Sequence, residues 1–206
     1  MNTFMVFFSY VDGREKLVVP DIPEATVICA DGGRIIAAEH GIEPDVMIGD
    51  FDSSPLPGQG NIIKLPRAKN LTDGEAAIDY AAAHGAERII FIGGLGGRFD
   101  HTMANLGLMV KYALKGIEMS LIDGYNRIRI LMPGTYVIPD SGAKYLSGAA
   151  FSEEVTGLCM SGVAYPLDDF TLPATSSRCV SNEFAAPEAV ISFKTGIFIL
   201  MECVDA

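Results

Sequence analysis

The sequence predicts an α/β protein in two parts. An N-terminal, mostly parallel α/β sheet domain covers residues 1–126, and a smaller all-β sandwich- or barrel-like domain covers 127–206. Three observations lead there. Up to about Asn126, compact apolar runs alternate with helix-like segments, as in a parallel sheet covered on both faces. Beyond it short strands recur, punctuated by Gly, Pro, Ser and Asp, with no helical pattern, which is the signature of a small antiparallel sandwich or barrel. The chain has 206 residues, 49% hydrophobic and 20% charged, enough for one large domain or two small ones with a real core.

The elements follow in order. Phe4 to Ser9 is an apolar run, and Thr26 to Ala30 a β-branched one that breaks at Asp31-Gly32-Gly33 into a helical segment, Arg34 to His40, closed by Gly41. Asp45 to Gly49 is a third strand, ending directly in acidic residues. Thr72 to His84 carries a helix start signal, strong helix formers and Gly85 as a stop. Arg88 to Ile92 is a strand that runs into the glycine loop Gly93-Gly94-Leu95-Gly96-Gly97. His101 to Leu114 has helical spacing and is stopped by Gly116, before the strand Glu118 to Ile122. In the second half, strands are expected at Ile128 to Met132, Thr135 to Ile138, Lys144 to Leu146, Glu154 to Leu158, Ala189 to Phe193 and Ile197 to Glu202.

The net charge of −11 argues against a nucleic-acid partner, because phosphate backbones need clustered Lys and Arg. It also repels an anionic substrate unless a metal or a local cationic patch reverses the field. Cys29, Cys159, Cys179 and Cys203 form no CxxC pair and no cluster with His, so they read as reduced, mostly buried small hydrophobes. The apolar run Thr3 to Phe8 is too short for a signal sequence, and no stretch approaches the ~20 apolar residues a bilayer needs. The expectation is a cytoplasmic protein with no membrane partner.

In open α/β sheets, functional groups gather where strands end, at the carboxyl edge. Four signals fall at or just beyond such ends: Ala30-Asp31-Gly32-Gly33, Gly49-Asp50-Phe51-Asp52-Ser53, Asn70-Leu71-Thr72-Asp73, and Gly96-Gly97-Arg98-Phe99-Asp100-His101. If the strand continues through Phe51, Asp50 and Asp52 point the same way and offer the hard oxygen ligands that suit Mg²⁺. The bland alternative is a helix cap followed by a turn at Asp52-Ser53-Ser54-Pro55. Carboxylates at Asp50, Asp52, Asp73 and Asp100 in one cleft would repel by about 4 kcal/mol per close pair at an effective dielectric of about 20, and a divalent cation removes that repulsion.

The glycine loop sits where phosphates meet backbone N–H groups, or else is a tight turn that permits close packing. It fails the dinucleotide fingerprint because Phe99 stands where Gly or Ala is required, and the chain contains no Walker A Gly-Lys-Ser or Gly-Lys-Thr. Arg98 can grip phosphate oxygens, or pair with Asp100 or Asp73. His101 is assigned an orienting role. Asn105, four residues on along the same helix face, reaches either ligand or backbone. Thr72 is an expected N-cap, and Asp73 and Glu75 suit the positive end of its helix. His40 and His84 fall at helix C-termini.

Taken in order, these motifs resemble the thiamine pyrophosphokinase family in its compact bacterial form. The strings are ADGG at 30–33, PDVMIGDFDS at 44–53, LTDGEAAI at 71–78 and GGLGGRFDH at 93–101, with GVAYPL at 162–167 and VSNEF at 180–184 in the second half. The resemblance implies an ATP-binding α/β catalytic domain, a thiamine-binding and dimerisation β-sandwich, a homodimer, and transfer of a pyrophosphoryl group from Mg-ATP to thiamine, giving AMP and thiamine diphosphate. It implies that Asp50, Asp52 and Asp73 hold Mg²⁺ and the polyphosphate, with Asp31 in the same cleft. Ser53, Thr72, His101 and Asn105 would bind substrate or ATP, and Arg98 and Asp100, with Asp73, would serve catalysis. Asp100 is the candidate acceptor of the alcohol's proton, and Ser181 and Asn182 would help enclose thiamine. Two departures from the family pattern are Asn70, where an acidic residue is usual, and Arg178-Cys179, where small hydroxyl residues are common. The alternatives are a metal-dependent phosphatase or a nucleotide-sugar transferase built on Asp50 and Asp52, and a non-catalytic thiamine or nucleotide binder.

Overall fold

A computed structural model of the chain describes residues 1–51, 60–66, 68 and 70–206. The chain divides into two compact units, Met1–Gly124 and Tyr125–Ala206.

In the first unit, strands β1 (Thr3–Phe7), β2 (Thr26–Ala30), β3 (Val46–Gly49), β4 (Ile62–Lys64), β5 (Arg88–Ile92) and β6 (Glu118–Ile122) form a sheet in the order β4-β3-β2-β1-β5-β6. Every pairing among them is parallel. The helices are α1 (Gly33–Glu39), α2 (Asp73–Ala83) and α3 (Phe99–Ala113). The chain lays down β1, steps outward through β2, β3 and β4, then crosses back to β5 on the other side of β1 and on to β6. Right-handed crossovers put α1 on one face and, once the direction of travel reverses, α2 and α3 on the other. Met5 and Phe7 of β1 accordingly share a core with Ile36 and Ala37 of α1, while α2 packs on β1, β2 and β3 and against α3. Both faces are covered, so β1 is buried at all five positions.

Helix ends follow local chemistry. Thr72 caps α2 as the sequence predicts, its Oγ1 accepting the Glu75 N–H at 3.0 Å. His40 and His84 occupy the C-cap positions of α1 and α2, and the His84 ring stacks on Tyr80 at 3.8 Å. Helix α3 begins at Phe99, two residues before the expected start, and Arg98 is its N-cap residue. Strand β4 falls where the sequence shows no strand signal.

The second unit is a β-sandwich. Strands β7 (Asn126–Leu131), β13 (Phe198–Cys203) and β9 (Tyr145–Ala150) pair antiparallel in the order β7-β13-β9. Strands β8 (Gly134–Pro139), β10 (Glu154–Ser161), β11 (Leu167–Pro173) and β12 (Glu188–Phe193) pair antiparallel in the order β11-β10-β12-β8. Leu146, Phe198 and Leu200 from the first set and Ile138, Leu158, Met160, Leu172 and Ile191 from the second fill one shared core. Phe170 and Phe184 pack against that core, whereas Phe151 remains exposed.

All four cysteines are free, and Cys29 and Cys179 are buried. Burial pushes the Cys29 thiol from its ordinary 9.0 up to about 12, only partly offset by Arg34, and pushes Cys179 up to about 11. In the unfolded chain these thiols ionise near 9, so the folded state alone keeps its protons above that pH. The stability tied to them is therefore complete below pH 9 and falls as pH rises towards 12. Urea-unfolding free energy measured between pH 8.5 and 11 is expected to decline in the wild type and to decline less steeply in Cys29→Ala.

Candidate active site

Because β1→β2 and β4→β5 run to opposite sides of β1, the β1/β5 boundary is the topological switch point of the sheet, where open α/β folds form a crevice beyond the strand carboxyl ends. Two adjoining cavities lie there and share Phe8, Ser9, His101 and Asn105. One, of about 260 Å³, is further bordered by Ala30, Asp31, Thr72, Asp73 and Gly74. The other, of about 270 Å³, is bordered by Tyr10, Gly94, Gly96 and Arg98. Asp31, Thr72, Asp73, Arg98, His101 and Asn105 are thus brought to one crevice from the ends of three separate chain segments.

The acidic cavity is set by backbone geometry. Asp31 follows β2 directly and adopts a left-handed φ of 45°, its N–H donating to the Ile48 carbonyl of the neighbouring strand at 2.8 Å. Two residues on, α1 starts so close to β1 that a Cβ on Gly33 would lie 2.0 Å from the Phe7 carbonyl oxygen. Only glycine permits that approach, and it carries the Asp31 turn to the crevice. Asp73 opens α2, where the helix dipole favours its charge. Both residues are engaged within the protein, and the Oδ1 atom of each is shielded from solvent.

The DxD segment differs from its expected form. Strand β3 ends at Gly49 and Phe51 has φ 55°, with its ring buried in the core, so the strand does not continue through Phe51. Asp50 is half-buried and engaged; Asp52 and Ser53 lie outside the described residues. Among the described residues, no group of three or more His, Cys, Asp or Glu side chains is gathered tightly enough to hold a metal. Asp31 and Asp73 nevertheless supply hard oxygen donors beside one cavity, and Mg²⁺ takes one or two carboxylates together with phosphate oxygens and water. The residues present fit that ion.

Arg98 pairs with Asp100, the alternative the sequence left open. Its Nη2 and Nε donate to the two carboxylate oxygens at 2.5 and 3.1 Å, and Asp100 Oδ1 also accepts the His101 N–H at 3.0 Å. Both side chains are largely exposed. The hydrogen bond from Arg98 holds the Asp100 carboxyl below its ordinary value and raises Arg98 further. Asp100 is therefore not one of a set of unpaired carboxylates; it is the partner that fixes the guanidinium.

The glycine loop packs rather than opens. Gly93 N–H donates to Ile122 O at 2.8 Å, Gly94 N–H to Tyr10 O at 2.8 Å, and Gly96 N–H to Thr102 Oγ1 at 3.1 Å. These three donors are spent inside the protein, so they form no phosphate cradle. Asn105, only 5% exposed, reaches backbone: its Nδ2 donates to Gly94 O at 2.7 Å. The sequence reading missed Phe8, Ser9 and Tyr10, because it ran the first strand to Ser9, whereas β1 stops at Phe7 and leaves these residues in the crevice. The carboxyl-edge rule applied to β1 was the signal that could have found them.

In the second unit, the GVAYPL and VSNEF strings clamp each other. Val163 and Phe184 form a β-bridge, Ala164 N–H donates to Glu183 O at 2.9 Å, and Ala185 N–H donates to Gly162 O at 2.9 Å. Asn182, 3% exposed, accepts the Tyr165 N–H at 2.9 Å and donates to Tyr165 O at 3.0 Å. Its carboxamide, expected on thiamine, is committed to backbone. Ser181 is exposed, has φ 58°, and its N–H donates to Ser147 Oγ at 2.9 Å.

A parallel sheet with an acidic, arginine-flanked crevice at its switch point, followed in sequence by a β-sandwich, defines a two-unit α/β protein with its ligand crevice at the carboxyl edge of the sheet. The family model described as thiamin pyrophosphokinase, catalytic domain, matches residues 23–121, and that described as thiamin pyrophosphokinase, vitamin B1 binding domain, matches residues 135–198. Thiamine pyrophosphokinase of Bacillus subtilis is 33% identical over 214 residues, covering 98% of this chain and 100% of the relative. Its crystal structure superposes with a TM-score of 0.89 at 28% identity over 100% of both chains. The thiamin pyrophosphokinase of Geobacillus thermodenitrificans superposes with a TM-score of 0.85 at 29% identity, over 100% of this chain and 99% of the other. The chain belongs to the thiamine pyrophosphokinase family of ATP:thiamine diphosphotransferases, which sets aside the phosphatase, sugar-transferase and non-catalytic readings. No helix among the described residues is long and apolar enough to cross a membrane.

Replacing Asn182 by Ala leaves the Tyr165 N–H and C=O without their side-chain partner. The expected cost is about 2 kcal/mol or more in urea-unfolding free energy, whereas a side chain that served only to touch ligand would leave stability unchanged.

Proposed function

We propose that this chain transfers the β,γ-pyrophosphoryl unit of Mg-ATP to the hydroxyethyl oxygen of thiamine, leaving AMP, in the crevice at the β1/β5 switch point. The observation that carries this reading is the pair of carboxylates, Asp31 and Asp73, bordering one cavity while Arg98 borders the adjoining one. Asp73 and Asp31, with Asp50 and Asp52 by family resemblance, would hold Mg²⁺. When bound, the ion neutralises polyphosphate charge and polarises the phosphoryl oxygens.

The chain's own residues do the rest. The net charge of −11 disfavours free ATP and attracts the permanent cation of thiamine. In-line displacement at phosphorus asks a protein mainly for positioning and charge stabilisation. Arg98, held in fork geometry by Asp100, presents fixed positive charge to the polyphosphate from the adjoining cavity. Asp100, already holding a guanidinium and depressed in pKa, acts through Arg98 rather than as the proton acceptor. Thr72 shapes the crevice by capping α2, and Asn105 by anchoring the glycine loop. His101 borders both cavities and orients the bound polyphosphate. Ser181, with Asn182 as its scaffold, serves thiamine in the second unit, and the working form is a cytoplasmic homodimer.

The test is incubation with ATP, Mg²⁺ and thiamine, with AMP and thiamine diphosphate measured as products. Formation of both in equal amounts is expected, and chelation of the metal should abolish it. Asp73→Asn is expected to lower kcat about 100-fold or more. Production of ADP and thiamine monophosphate instead, or an unchanged rate with excess chelator, would overturn the proposal.

A further inference from the structure

Tyr10 stands outside every string that carries the family resemblance, yet it borders the cavity shared with Arg98, His101 and Asn105. We infer that Tyr10 is a stacking platform for the purine base of the nucleotide substrate, and so a residue that sets nucleotide affinity. This rests on the reading of ATP as the donor.

The ring is preorganised by backbone. Tyr10 O accepts the Gly94 N–H at 2.8 Å, and a Cβ on Gly93 would stand 2.4 Å from that same oxygen. The ring itself lies against the Gly96–Gly97 turn: a Cβ on Gly96 would be 3.0 Å from Tyr10 Cε1, and one on Gly97 would be 3.2 Å from Cε2. The ring is thus backed by a turn that carries no side chains, while the residue stays 47% exposed at the cavity. A flat aromatic surface, backed and open, is suited to a planar heteroaromatic group, and its fixed position spares the ordering cost of binding.

Electrostatics choose which group. The loop donors of Gly93, Gly94 and Gly96 are used internally, so these three form no cradle for phosphates. The carboxylates Asp31 and Asp73 border the adjoining cavity, where the metal-bearing triphosphate belongs. A nucleotide lying across the two would set its polyphosphate between these carboxylates and Arg98 and bring its base to Tyr10. Among the described residues, no carboxylate lines the Tyr10 cavity, and Arg98, which does, is already paired with Asp100. The cavity therefore offers no anionic partner to the permanent cation of thiamine and suits a neutral purine.

The test is steady-state AMP formation by the full chain with Mg²⁺. Tyr10→Ala is expected to raise the KM for ATP about tenfold, in line with the usual worth of a base–aromatic stack. The loss should fall on KM for ATP rather than on kcat or the KM for thiamine, and Tyr10→Phe should restore it. The chain contains no tryptophan, so Tyr10→Trp places a single reporter on the platform. Its emission should be quenched by Mg-ATP and by AMP but not by magnesium tripolyphosphate. An unchanged KM for ATP in Tyr10→Ala, a rise in the KM for thiamine instead, or equal responses to nucleotide and tripolyphosphate would overturn the inference. Should Tyr10→Ala fail to fold, the tryptophan titration decides alone. A wild-type chain that makes no AMP from ATP and thiamine would sink the functional reading, whereas an active wild type with an indifferent Tyr10 would sink only this one.

Discussion

Backbone-to-backbone approach around the segment leaving β1 governs the crevice. From one side the start of α1 presses Gly33 onto the Phe7 carbonyl; from the other, the loop after β5 presses Gly93 onto the Tyr10 carbonyl. Contacts that close exclude any Cβ, so glycine is dictated at both positions by space, and at Gly93 also by its φ of 84°. What the clamp delivers is placement. The Asp31 turn is drawn in with α1, the ring of Tyr10 is laid on the Gly96–Gly97 turn, and Gly94 comes within reach of the Asn105 carboxamide. A parallel sheet buried on both faces leaves its carboxyl edge as the place for chemistry, and this clamp decides which side chains stand there.

Charge is arranged on that frame by segregation. The acidic side of the crevice borders the helix N-terminus that carries Asp73, where the dipole stabilises a carboxylate before any ligand arrives. The cationic side has one arginine whose fork is already filled by Asp100. An exposed ion pair of this kind adds little to stability. Its value is geometric, since a guanidinium held by two bonds loses less freedom on meeting phosphate than a free one. A strongly acidic chain can therefore present both signs within adjoining cavities.

Much of this was legible from residues alone, and the misses have physical causes. The parallel strands were readable because burial on both faces makes them continuous apolar runs, and Thr72 was readable as a cap from its position before Asp73 and Glu75. Strand β4, three residues of Ile62–Lys64 at the sheet edge, is too short for any period to register. Strand β11 was lost because Asp168 and Asp169 interrupt it, Asp169 takes a φ of 42°, and its register with β10 shifts twice, so the two-residue repeat never establishes itself. Strand β3 does not continue through Phe51, which turns left-handed and buries its ring, a decision made by the core and invisible in the local pattern.

The two asparagines show how a motif can mark architecture rather than contact. Asn105, four residues beyond the 93–101 string, and Asn182, inside the 180–184 string, are both nearly fully buried; Asn182 was expected on ligand, and Asn105 on ligand or backbone. A buried carboxamide brings two donors and an acceptor that must be satisfied, and nearby backbone is the partner available whether or not a ligand is bound. Asn105 thereby ties α3 to the glycine loop, and Asn182 ties the 180–184 string to Tyr165. A residue of this kind serves the site through the loop that it holds. Tyr10 is the converse, a side chain outside those strings that the same loop leaves standing at the cavity.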